Sequence, residues 1–256
     1  MVKDKKLVGR QFSRGFRTYN ASASVQKHIC EVMISRLSTY LPPIINKVFE
    51  IGCGTGFLTS ELLKTIRPKQ YLTNDLIQNS KYELKNIFDI HEYQNWSFIE
   101  GDAECIDFPK EVDLIISSST IQWFNSFENF VIRAYNALTK GGLMAISTFG
   151  PENYNELKSI SGAGLDYMSM RSHQQIISKY FNIMYADEER QHLWFDTSVD
   201  VLRHIKTIGA NSLSNKFWSK GRLKDFEENY SRNFHHVNKG IRLTYHPIII
   251  ICEKTE

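Results

Sequence analysis

A chain of 256 residues, 42% of them hydrophobic, is long enough to bury a sizeable core, which excludes the disordered and fibrous classes. A formal net charge of +3 gives no whole-chain reason to invoke nucleic acid or a membrane. The charge is unevenly spread, however. Residues 1–27 carry seven Lys/Arg against one acid and residues 211–242 seven against three, +6 and +4, so the remainder stands at −7. The cysteines at 30, 53, 105 and 252 form no CxxC pair and no zinc-like spacing, so reduced thiols and no metal site are expected. The amino-terminal MVKDKKLVGRQFSRGF lacks the apolar run of a signal peptide, and IIIIC at 248–252 is too short to cross a bilayer. The expectation is a soluble, cytoplasmic protein.

The first half alternates. VFEI at 48–51 reads as a strand, the glycine-rich 52–56 as a turn, and FLTSELLKTI as a helix with apolar residues at Phe57, Leu58, Leu62, Leu63 and Ile66. A second strand, QYLTND, leads to a helix over 80–88. WSFIE at 96–100 and VDLIISSS at 112–119 are the third and fourth strands. NFVIRAYNALT is a helix stopped by Gly141-Gly142, and LMAISTF at 143–149 is the fifth strand. Such apolar strands between amphipathic helices predict an α/β, mostly parallel sheet covered on both faces. Beyond residue 149, helices are expected near 153–158 and 173–180, with extended segments at 183–196 and 243–252 closing one edge. The polar, helical 197–240, interrupted near Gly209, is expected over the carboxyl ends of the strands, where open α/β sheets bind ligands.

Glu50-Ile51-Gly52-Cys53-Gly54-Thr55-Gly56 is the most informative stretch. Its glycines permit a tight strand-to-helix turn with bare backbone facing a ligand. The spacing is GxGxG rather than GxGxxG, no Gly-Lys-Ser/Thr follows, and an acid precedes the first glycine, so a phosphate is disfavoured and a cationic ligand favoured. Asp75 ends the second strand, where an acid takes ribose hydroxyls, and Gly101-Asp102-Ala103-Glu104 follows the third, where a carboxylate can accept the amine of adenine. Any one of these acids alone reads as a cap or loop residue. In this order they describe a nucleoside site without provision for phosphate, which points to S-adenosyl-L-methionine.

EIGCGTG, the Asp75 strand end, GDAE, SSSTIQWF and the following GGLMAISTF resemble the class I methyltransferases over about residues 45–150. FSRGFRTYNASASVQ, LWFDTSVDVLRHIKTIGANSL and RLTYH extend the resemblance over most of the chain to the malonyl-[acyl-carrier protein] O-methyltransferase family of biotin synthesis, the BioC type. The resemblance implies a Rossmann-like fold of seven strands with helices on both faces and a helical lid. It implies a single domain over 1–256, with lid helices at 1–40, a cofactor-binding core at 45–150, and substrate-side helices and closing strands at 151–256. It implies transfer of the sulfonium methyl to the free carboxylate of malonyl-acyl carrier protein, or malonyl-CoA, giving S-adenosyl-L-homocysteine and the methyl ester that primes pimeloyl and biotin synthesis. Cofactor contacts are expected from Glu50, Gly52, Cys53, Gly54, Gly56, Asp75, Leu76, Asp102, Ala103 and Ser118, the last standing where related proteins often carry Asn.

A carboxylic acid of pKa about 4 is over ~99% ionised at neutral pH, so this reaction needs no general base, and none is evident in the sequence. It needs alignment, exclusion of water and a moderate partner for the second carboxylate oxygen. Candidates for that partner are Tyr19, then Arg203, then His246. Tyr19 can close the lid with its ring or be a core tyrosine. Arg203 and Lys206 lie three apart on one helix face, which is equally a solvated face. Alternation in RLTYH puts Arg242, Thr244 and His246 on one side of a strand, with Tyr245 and His246 near its end if Pro247 limits pairing. Trp123 either walls the transfer site or packs on the next helix, whereas Trp194 and Trp218 read as packing residues.

An acidic acyl carrier protein requires a basic docking face, which Lys216, Lys220, Arg222 and Lys224 supply, continued by Arg10, Arg14 and Arg17. Competing readings are a methyltransferase of a small free carboxylic acid or other metabolite, an RNA-modifying protein, and a non-catalytic cofactor binder. The second lacks the interleaved aromatic and basic residues of a base-stacking platform.

Overall fold

The computed structural model describes residues 4–162, 164–209 and 219–255; Lys216 and Trp218 lie outside them, as does the side chain of Arg17. Two helices, α1 (Lys5–Ser22) and α2 (Ser24–Leu37), precede a regular alternation: β1 (Lys47–Ile51), α3 (Phe57–Thr65), β2 (Gln70–Asp75), α4 (Ser80–Ile90), β3 (Trp96–Glu100), β4 (Val112–Ser118), α5 (Phe127–Ala137) and β5 (Leu138–Phe149). There follow α6 (Asn155–Ser161), α7 (Met170–Ile177), β6 (Asn182–Glu188), β7 (Gln191–Phe195), α8 (Ser198–Thr207), α9 (Lys220–Phe234), β8 (His235–His236), β9 (Gly240–Tyr245) and β10 (Pro247–Glu253).

Seven strands form one sheet in the order β3-β2-β1-β4-β5-β10-β6, with β10 antiparallel to both neighbours. The apolar runs are explained by burial on both faces. In β10, Ile249 and Ile251 join the core beneath α2, α3 and α4, while Ile248, Ile250 and Cys252 join the core beneath α5 and α7. β5 divides in the same way, Leu143 and Ala145 against Met144 and Ile146. IIIIC is thus an interior strand, and among the described residues no helix is long and apolar enough to cross a membrane.

Three boundaries differ from the sequence expectation. α5 ends at Ala137 rather than at the glycine pair, because Leu138 is buried and already pairs with Val112. The extended 183–196 is two strands, β6 in the large sheet and β7 in a second, antiparallel sheet of order β7-β9-β8. The 243–252 segment also divides between the sheets: β9 ends at Tyr245 and β10 starts at Pro247, whose missing N–H prevents one continuous ladder. α1 packs on α8 and α8 on α9, so the late helices and the small sheet sit beside the amino-terminal helices.

β1 lies between β2 and β4, so the connections leaving β1 and β4 diverge to opposite sides of the sheet. The crevice at the carboxyl ends of these strands is where a ligand is expected in such a sheet.

Candidate active site

The glycine loop fills that crevice, and four of its amides bond within the protein. Gly52 and Cys53 donate to the Asn74 carbonyl at 2.8 and 3.0 Å, Gly56 to the Cys53 carbonyl at 2.8 Å, and Gly54 to Asp75 Oδ2 at 2.7 Å. Gly52 has φ +70, and a Cβ there would run into the Thr120 side chain. Gly54, at φ +52, has open space where its Cβ would stand. Asn74 is a keystone that sequence reasoning passed over: its carbonyl holds the loop, and its side-chain amide holds the Ile99 and Gly101 carbonyls at 2.9 Å, which positions Asp102.

A cavity of about 830 Å³, part of it open to solvent, runs over Gly52 and Gly54. Its acids are Asp75 and Asp102, and its walls include Leu76, Ile77, Ala103, Trp123 and Phe124. Asp75 is 8% exposed; it accepts from Gly54 on one oxygen and from the Ile77 amide at 2.8 Å on the other, and burial pushes its carboxyl up to about 6. The roof is α1. Lys5, Val8, Gly9, Phe12, Phe16 and Tyr19 recur at helical spacing and all face the cavity. Lys5 Nζ reaches Glu104 at 2.7 Å and Asp102 at 3.5 Å, and it lies 4.8 Å from the Phe124 ring centre. Burial works against ionised Glu104, but bonds from Lys5, Asn125 and Ser126 hold its carboxyl below the usual range. Lys5 was not singled out in the sequence, where a lone lysine in a basic amino terminus carries no signal.

A second, smaller cavity adjoins the first around Gly52, Cys53 and Gly54, lined also by Tyr19, Gln26, Cys30, Ser118 and Ser119. Tyr19 belongs to both cavities; its ring is 6.1 Å from that of Phe57, and burial raises its phenol so that it remains a donor. Ser119 is a non-glycine residue at φ +54 whose buried hydroxyl has no partner, a strained position of the kind found at ligand sites. Buried hydroxyl or carbonyl oxygens of Thr55 and Gln26 are also unpartnered. Ser118, the expected cofactor contact, lines both cavities while bonding Ser147 at 2.8 Å and Cys30 at 3.4 Å.

Not every expected residue comes to these cavities. Glu50 is fully buried beneath the loop, where Oε2 accepts from Thr59 at 2.7 Å and Tyr71 at 2.6 Å; Oε1 is unpartnered, and burial pushes the carboxyl up to about 7. Gly56 starts α3 at φ +82 without lining either cavity. Arg203 faces solvent and pairs with Asp200 at 2.6 Å, one turn back on α8, so it is placed away from the pocket. His246 is 1% exposed and both ring nitrogens are engaged, Nδ1 accepting from the Glu152 amide at 3.2 Å and Nε2 meeting Glu188 at 3.0 Å. It lines neither cavity. Its strand neighbours Arg242 and Thr244 share a buried partner, Glu156, which ties β9 to α6. Trp123 walls the main cavity and meets Phe12 edge-on at 5.6 Å, whereas Trp194 packs against His236.

The residues present fit a sulfonium nucleoside. Four of the loop's amides are already bonded within the protein, which disfavours a phosphate cradle, the two carboxylates suit ribose hydroxyls and an adenine amine, and the walls between them are apolar. Among the described residues no cluster suited to a metal ion occurs.

Fold and cavity together define a class I methyltransferase. Residues 49–146 match the methyltransferase domain family. The fold is shared with the YcgJ protein of Bacillus subtilis, at TM-score 0.62 and 14% identity, over 88% of this chain and 98% of that one. Along the sequence, the chain is 38% identical to a malonyl-[acyl-carrier protein] O-methyltransferase of Bacteroides helcogenes, covering 99% of this chain and 100% of the relative. It is 37% identical to that of Bacteroides thetaiotaomicron, covering 98% of each. The chain belongs to the malonyl-[acyl-carrier protein] O-methyltransferase family.

Proposed function

We propose that the chain methylates the free carboxylate of malonyl-acyl carrier protein, giving the malonyl methyl ester that primes pimeloyl and biotin synthesis. The observation that carries this reading is the pair of adjoining cavities, an acid-bearing trough and a small chamber that no lysine or arginine among the described residues lines, joined under Tyr19. S-adenosyl-L-methionine supplies the electrophilic methyl on a sulfonium and leaves as S-adenosyl-L-homocysteine. Asp75 and Asp102 would hold the nucleoside, with Leu76, Ala103 and Trp123 lining the same trough as its apolar walls.

The chain's own contribution to rate is alignment and dryness. The malonyl carboxylate is ionised at neutral pH and needs no base. Opposite charges neutralise one another as the methyl moves, so a roof of Val8, Phe12 and Phe16 that excludes water favours the transition state. Tyr19 can donate one hydrogen bond to the carboxylate oxygen that does not attack, strong enough to orient it and too weak to quench its partner.

Carrier protein docking is assigned to the outer faces of α1 and α9. Arg10 and Arg14 are exposed on α1, four apart and turned from the cavity. Lys220 and Lys224 share an exposed face of α9, although Lys224 lies 3.8 Å from Glu228; Arg222 is exposed on the other side of that helix. Lys216, expected to join them, lies outside the described residues. Turnover on malonyl-acyl carrier protein, malonyl-CoA and free malonate tests the reading. A specificity constant highest for the carrier protein supports it, and equal use of free malonate overturns it in favour of a small-acid methyltransferase.

A further inference from the structure

The small cavity contains a buried amide that no catalytic step above uses. Gln26, on α2, is 7% exposed and lines the chamber with Tyr19 and the glycine loop, and its Oε1 has no hydrogen-bond partner. The amide is not free to turn without consequence, because it interacts with the Tyr245 hydroxyl at the end of β9. Tyr245 is wholly buried, and its hydroxyl lies 2.7 Å from Nε2 of His204 on α8. Tyr154 meets it as well, with ring centres 4.9 Å apart. Three elements distant in sequence thus converge behind one amide.

The bond between His204 and Tyr245 holds a single proton, and its location decides the polarity of Gln26. If Tyr245 donates to His204, its oxygen receives the Gln26 N–H, and Gln26 Oε1 is left bare in the chamber. If His204 Nε2 carries the proton, Tyr245 donates to Gln26 Oε1, and the amide turns its two N–H donors toward the chamber. An unpaired buried carbonyl is costly, and the second arrangement removes that cost when an anion is present to accept. Burial holds His204 neutral, down to about 4, so the choice is between tautomers and not between charge states. Among the described residues no lysine or arginine lines this chamber, and the donors they offer an anion there are neutral.

We propose that the Gln26 carboxamide is a carboxylate-binding group of the small cavity, beside Tyr19, turned to donate by the His204–Tyr245 pair. The inference rests on the carboxylate chemistry of the proposed reaction. Two carboxylates belong to that reaction, that of the malonyl acceptor and that of the cofactor's amino-acid end, and the same donor chemistry would serve either.

The test compares Gln26→Met, a near-isosteric apolar change, and Gln26→Glu with the wild type. Calorimetry gives the affinity for S-adenosyl-L-homocysteine and for 5′-methylthioadenosine, which lacks the amino-acid end; steady-state kinetics give KM and kcat for malonyl-acyl carrier protein. Both variants should keep the wild-type affinity for methylthioadenosine, which shows the fold and nucleoside trough intact. A KM for the malonyl acceptor raised about tenfold or more, with homocysteine-product affinity within about twofold, assigns Gln26 to the acceptor carboxylate. A loss of about tenfold in S-adenosyl-L-homocysteine affinity alone assigns it to the cofactor carboxylate. Both quantities within about twofold of wild type overturn the proposal. Tyr245→Phe should show the same pattern, and combining it with Gln26→Met should add nothing; additive losses overturn the role of the pair. A wild type that binds both nucleosides yet never methylates malonyl-acyl carrier protein defeats the functional reading, while the two nucleoside affinities still judge Gln26.

Discussion

Asp75 and Gly54 are joined by a 2.7 Å hydrogen bond from the loop amide to a carboxylate that is itself almost completely buried. The bond does two things at once. It fixes the glycine loop against the end of β2, and it spends an amide that a phosphate would otherwise need.

Replacing Asp75 therefore affects both loop and ligand. Asp75→Ala is expected to weaken S-adenosyl-L-homocysteine binding by about 10- to 100-fold, since bonds to a charged group contribute about 1.5–3 kcal/mol each, and to lower the melting temperature of the ligand-free protein. Asp75→Asn, which keeps one acceptor oxygen, should lose less. Calorimetry and thermal melts check both, and unaltered affinity in Asp75→Ala would remove the ribose assignment.

Glu50 and Asp75 give the ligand-free protein a defined pH dependence. Burial raises them from 4.5 to about 7 and from 3.8 to about 6, so the folded state holds protons that the unfolded chain has already released. Stability is then greatest below the unfolded values and falls as pH rises through 6 and 7. Melting temperatures between pH 4.5 and 8 should decline along that window, and Glu50→Gln should flatten the upper part of the decline. A cationic ligand favours the ionised carboxylates, so the ligand-bound protein should show a weaker dependence. A curve in Glu50→Gln that superimposes on wild type would contradict the assignment.

Lys5 fastens the roof to the Asp102 end of the trough through Glu104 and Asp102. The pair is partly exposed, so its contribution is about 1 kcal/mol or less, and Lys5→Met should speed product dissociation by up to about fivefold with little change in association. Stopped-flow release of S-adenosyl-L-homocysteine measures this. Wild-type release should accelerate with added salt, whereas release from Lys5→Met should not.

Charge reversal on α9 tests docking. The double variant Lys220→Glu and Lys224→Glu is expected to raise KM for malonyl-acyl carrier protein about tenfold while leaving malonyl-CoA turnover and cofactor affinity nearly unchanged. Equal losses on both acceptors would place these residues in folding or chemistry instead of docking.

The strands of the large sheet were legible because each is an uninterrupted apolar run between glycine or polar turns, and because β1, the loop and Asp75 follow one another at a fixed spacing. The late region was less legible. Nothing in LTYHPIIII marks a change of sheet except Pro247, and the small sheet is held by Glu156, far away in sequence. Among site residues, Tyr19, Asp75, Leu76, Asp102 and Ala103 come to the trough as their motifs implied. Arg203 and His246 do not, because a three-residue spacing or a strand alternation fixes a face without saying what it faces. Lys5, Asn74, Ser119 and Gln26 went unnoticed as individual residues, since each acts only through partners brought by the tertiary fold.

Intact mass measurement of malonyl-acyl carrier protein after incubation with S-adenosyl-L-methionine and the enzyme tests the central claim most directly. The account predicts the gain of one methyl group, lost on mild ester hydrolysis and missing when Asp75→Ala replaces the wild type. A carrier protein of unchanged mass, with wild-type enzyme that binds the cofactor, would contradict it.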